Sequence, residues 1–200
     1  MVLSNFLKPK GRYEMNKQNS SKNKKYFLRS TKECAHLAVF VATVIGAQLA
    51  LSALPSVELV SVLFISYAFV MGAARGAVAA TAFTLLRQLV FGFYPTVFIL
   101  YLVYYNLLAV GFGLLGKRLK IMKKDLLIVL LFACVCTPLF SLLDCVITPL
   151  WYAYTAKAAK AYFFATLPVC ATHIVCVGVS VFLLFLPLSK TFAWAKRKLR

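Results

Sequence analysis

The run from Leu126 to Leu150, LLIVLLFACVCTPLFSLLDCVITPL, holds one charged residue, Asp144, in 25 positions. A helix that crosses a bilayer needs about 20 mostly apolar residues, so this stretch sets the fold class as an all-α membrane protein. Working outward, the same criterion places further spans at about 34–54, 57–73, 76–93, 95–116 and 163–187, making six transmembrane helices. Composition agrees, with 62% hydrophobic residues, 14% charged and a mean hydropathy of +0.83, where soluble domains are about half apolar. A disulfide-stapled secreted domain and an ordinary soluble enzyme are thereby excluded.

The breaks between spans carry their own signals. The second and third meet at Gly72-Ala73-Ala74-Arg75-Gly76, a tight turn, and the third and fourth at Gly92-Phe93-Tyr94-Pro95, where Pro95 suits the first turn of a new helix. Residues 1–33 are polar and rich in Lys, Asn and Ser, which predicts a disordered basic tail. That tail does not read as a signal peptide, because the apolar run behind it is too long. Residues 34–187 form the six-helix domain, and residues 188–200 a second basic tail.

Charge fixes the expected orientation. The chain has 23 Lys and Arg against 5 Asp and Glu, a net +18. Twenty of the cations fall in the N-terminal tail, the Arg75 turn, the Lys117 to Lys124 loop and the C-terminal tail, whereas the opposite loops hold only Lys157 and Lys160. The positive-inside rule therefore puts both termini in the cytoplasm of a multi-pass cell-membrane protein. No nucleic-acid partner is expected, since no soluble fold accompanies the charge.

Catalytic and nucleotide motifs are weak or missing. Gly111-Phe112-Gly113-Leu114-Leu115-Gly116 matches GxGxxG, but it closes a membrane span instead of following a strand, and there its glycines permit close helix contact. There is no Walker A, HExxH or GxSxG sequence, and an intramembrane aspartyl protease would need a second aspartate beside Asp144. Cys170, His173 and Cys176 share one helical face and offer three metal ligands, weighed against simple helix packing. The six cysteines lie in or beside apolar runs and read as small apolar residues. The expectation is a non-enzyme without metal or cofactor.

Two polar or small-residue patterns point to binding. Ala38, Ala42, Gly46 and Ala50 recur at every fourth position and make a flat helix face, suited to an internal contact or to docking a second membrane subunit. Polar groups inside spans are costly and mark cavities or relays. Counting about 1.5 Å per residue, Gln48, Arg87, Gln88 and Asp144 fall in the outer half, with Glu58 at the outer end of the second span. Thr81, Thr84 and Gln88 form a polar stripe, and Asn106 lies deeper. Tyr94, Trp151, Tyr152, Tyr154 and Tyr162 add aromatics at the outer rim, suited to stacking or to an interfacial belt. The candidate ligand-binding set is Glu58, Thr84, Arg87, Gln88, Asn106, Asp144, Trp151 and Tyr152, with Arg87 either gripping a carboxylate or phosphate or pairing with Glu58 or Asp144.

The stretches Leu54-Pro55-Ser56-Val57-Glu58-Leu59-Val60-Ser61, Gly72 to Gly76 and Arg87 to Phe93 resemble the substrate-binding S components of energy-coupling factor transporters. Ala38 and Ala42 look like that family's AxxxA signature. The resemblance covers about residues 34–187, best at 38–116. It implies a six-helix subunit that captures a vitamin-like micronutrient from outside, docks through the Ala38 and Ala42 face on a membrane coupling subunit, and is driven by two cytoplasmic ATPases. A self-contained secondary carrier and, further off, an intramembrane enzyme built on Asp144, His173 or Cys176 are the alternatives.

Overall fold

The structure is a computed structural model that describes residues 31–52, 59–119, 121 and 123–199. Among them are six α-helices and no strand: α1 Thr31–Ala50, α2 Val60–Met71, α3 Ala73–Phe91, α4 Pro95–Arg118, α5 Lys123–Trp151 and α6 Ala156–Lys198. Residues 1–30 of the expected basic tail, and Glu58, lie outside the described residues. The packing below is that of residues His36–Arg200.

The helix breaks fall where the sequence puts them. Gly72 (φ 100°) and Gly92 (φ 88°) hold left-handed conformations that favour glycine, so α2 turns into α3 and α3 into the loop before α4. Pro95 occupies the first turn of α4, and Thr155 caps α6 by accepting from the Ala158 amide at 3.4 Å.

Four helices, α1, α4, α5 and α6, are long and apolar enough to cross a membrane. The expected six spans are thus six helices with four of that class. α2 has 12 residues, about 18 Å of helix against a hydrocarbon core of about 30 Å. All twelve are buried, so α2, apolar on every side apart from Ser61 and Ser66, is surrounded by protein. α3 carries Arg75, Arg87, Gln88 and many small residues and falls outside the long apolar class.

α2 is the hub. α3, α4 and α6 pack against it, and α5 bridges α4 to α6. α1 is attached through rings: Phe40 stacks on Tyr67 at 3.9 Å and meets Phe64 and Phe192 edge-on. The Phe192 contact belongs to a stretch expected as a separate tail. α6 instead continues to Lys198, 43 residues or about 64 Å, because Phe185, Ser189 and Phe192 carry its inward face past the predicted end.

The glycines of the false dinucleotide motif work as contact points. A methyl on Gly116 would collide with the Phe69 backbone and one on Gly113 with that of Ala73. The turn from α2 to α3 therefore lies directly on α4.

Candidate functional site

Arg87 lies about one turn from the end of α3, and its guanidinium carbon is 4.5 Å from the Tyr101 ring centroid and 4.9 Å from that of Phe91. Its Nε and Nη1 are buried with no hydrogen-bond partner. An arginine stays charged in a protein, and each ring contributes about 0.5–2 kcal/mol of cation–π attraction. Rings alone leave the guanidinium N–H groups unpaired, which in low dielectric is costly.

Tyr101, near the start of α4, joins this group to α1, where Gln48 Nε2 donates to its hydroxyl at 3.4 Å. Gln48 Oε1 is itself buried without a partner. Gln88, 8% exposed, accepts the Tyr94 amide at 3.3 Å through Oε1, while its Nε2 has no partner. Orphaned buried polar atoms are uncommon in native proteins and call for an explanation. Among the described residues there are six, and four of them come from Gln48, Arg87 and Gln88, at the end of the bundle where α1 and α3 finish and α4 begins, the other two being the hydroxyls of Ser66 and Ser189.

The other expected binding residues go elsewhere. Thr84 is buried and donates to the Ala80 carbonyl at 2.9 Å. Asn106 pairs with Thr81 at 3.3 Å and donates to the Leu102 carbonyl at 2.7 Å, clamping α3 to α4. Asp144 accepts from Thr148 at 2.7 Å and from the Tyr162 hydroxyl at 2.5 Å, which ties α5 to α6. Trp151 and Tyr152 are each 54% exposed, and Tyr152 stacks with Tyr154 at 6.2 Å.

The expected set thus divides into an Arg87 group on α1, α3 and α4 and an Asp144 group on α5 and α6. No ion pair joins Arg87 to Asp144 among the described residues. Tyr101 escaped the sequence reading, although Tyr101, Tyr104 and Tyr105 recur at helical spacing and share a buried face. His173 lies 6.3 Å from the Phe140 ring, and no cluster of three His, Cys, Asp or Glu able to hold a metal occurs among the described residues.

The small-residue pattern on α1 faces outward. Ala38, Ala42, Gly46 and Ala50 are exposed, and a methyl built on Gly46 meets nothing within 4 Å. Phe40, Val41 and Val44 are the residues α1 buries. Among the described residues the flat face therefore makes no internal contact.

No protein family, curated protein or solved structure matches the chain.

Proposed function

We propose that this chain is the substrate-capture subunit of an ATP-driven uptake system for a vitamin-like micronutrient. Both termini are cytoplasmic in this reading, and the end of the bundle holding Arg87 faces outward. The observation that carries it is the Arg87 group: a permanent cation whose Nε and Nη1 are buried without partners, set between two rings and beside an orphaned Gln48 carbonyl. Such a group is complementary to a ligand that brings an anionic acceptor for the guanidinium and a donor for Gln48.

The outward face of Ala38, Ala42 and Gly46 supports the docking half of the reading, since close backbone approach is how helices associate where lipid removes the hydrophobic drive. A membrane coupling subunit would sit there, with two cytoplasmic ATPases below it. The chain itself is assigned no catalysis and no cofactor.

The test is to tag the C-terminus, extract gently from native membranes and identify what copurifies by mass spectrometry. Recovery of a membrane subunit with two ATPases is the expected result. Clean recovery of the chain alone in several detergents would defeat the proposal and favour a self-contained carrier.

A further inference from the structure

At the opposite end of the bundle, α4 and α6 finish in basic last turns, Lys117 and Arg118 on one and Lys196, Arg197 and Lys198 on the other. A cavity of about 420 Å³ opens between them, within the size range of small-molecule sites. Phe69, Leu119 and Ala193 give it apolar walls, and Lys196 and Arg197 give it charge. The Lys196 ammonium donates to the carbonyl of Val70, in the last turn of α2. That contact satisfies a helix-end carbonyl and holds the ammonium at the cavity wall.

Two further observations fix the chemistry of the occupant. The chain has 5 acidic residues for 23 basic ones, so its cations outnumber its own carboxylates more than four to one. Beside the cavity, Trp194 is 55% exposed and carries the Lys198 ammonium 4.0 Å above its ring. An exposed tryptophan paired with lysine at a helix end marks the membrane–water interface, which sets the cavity at headgroup depth.

We infer that this cavity binds the headgroup of an anionic phospholipid. The phosphate lies against Lys196 and Arg197, and the first apolar part of the lipid runs along Phe69, Leu119 and Ala193. A basic pocket between helices at the cytoplasmic surface suits such headgroups by charge and by the wet-to-apolar gradient of its walls. The inference rests on the bundle being embedded in a membrane and not on ligand capture at Arg87, so either can fail alone.

The experiment uses the full chain in detergent with phosphatidylglycerol or phosphatidylcholine of identical acyl chains, and reads retained lipid by native mass spectrometry. Wild type should retain phosphatidylglycerol preferentially. Arg197→Gln, on an exposed side chain, should reduce that preference about fivefold, and Ala193→Phe should reduce it by filling the cavity with charge unchanged. Lys117→Gln, outside the cavity lining, should keep it. Equal retention of the two lipids by wild type, or undiminished preference in both Arg197→Gln and Ala193→Phe, would overturn the inference. Displacement of the lipid by millimolar inorganic phosphate would overturn the lipid as the source and leave a free-phosphate site.

Discussion

Arg87 is held by two rings and by no acid, and that imbalance makes its replacement informative in two ways. In the protein without ligand, Arg87→Met keeps an unbranched chain beside Tyr101 and Phe91 and removes buried donors that have nothing to bond. Leaving such donors unpaired costs about 1–3 kcal/mol or more, which offsets the loss of about 0.5–2 kcal/mol of cation–π attraction at each ring, so the thermal midpoint of the ligand-free variant should stay level. The same change should weaken ligand binding by about 2–5 kcal/mol, the usual loss when one side of a buried charged contact is cut away. Copurified small molecule measured by mass spectrometry gives the second number. A fall of several degrees in the ligand-free midpoint would instead make Arg87 a structural residue and empty the site. Tyr101→Phe is the finer cut. It keeps the ring under the guanidinium and removes the hydroxyl that Gln48 reaches, so binding should fall by about 1 kcal/mol while the cation–π contact survives.

At the scale of elements, glycine and alanine do two different jobs that sequence spacing alone does not separate. Gly116 is a place where backbone meets backbone, so Gly116→Ala should cost about 1–3 kcal/mol of stability by overpacking, read as a lower thermal midpoint. Gly46 meets nothing, so Gly46→Leu and Ala42→Leu should leave that midpoint within experimental scatter yet abolish copurification with a membrane partner. Loss of folding in Ala42→Leu would place the face inside the bundle. What the sequence made legible were the local decisions: the turns at Gly72 and Gly92 and the start at Pro95 are set by dihedral preference, and the apolar runs by length. What it hid were choices made by tertiary neighbours. Asp144 was expected near Arg87 on grounds of depth, but depth does not say which helices are adjacent, and Tyr162 on α6 takes its carboxylate. The end of α6 was hidden for the same reason, because Phe192 reads as tail until Phe40 on α1 and Tyr67 on α2 are seen to meet it. The apolarity of α2 predicts a span, and burial on every side produces the same pattern in a helix of 12 residues.

For the molecule as a whole, function depends on which end faces out. The cations gather at the end where α4 and α6 finish, while the orphaned polar atoms of Gln48, Arg87 and Gln88 gather at the other. Positive charge resists translocation, so the first end should be cytoplasmic and the second should open to the outside, as capture from the medium requires. A fluorescent protein that matures only in the cytoplasm, fused after Arg200, should therefore fluoresce. Alkaline phosphatase, active only outside, should be active when inserted in the turn between α5 and α6 beside Tyr154. The two reporters are complementary, so a failure of expression would silence one without lighting the other. The reverse pattern would put the Arg87 group on the cytoplasmic side, where no ligand arrives from the medium, and uptake would have to be abandoned even if the site bound a small molecule tightly. The expected pattern does more than agree with the charge count. It makes the 43 residues of α6, with Pro168 and Pro187 inside them, one continuous helix joining the outer turn to the basic cytoplasmic end, so that a partner seated on the inner surface touches the helix that carries Tyr162.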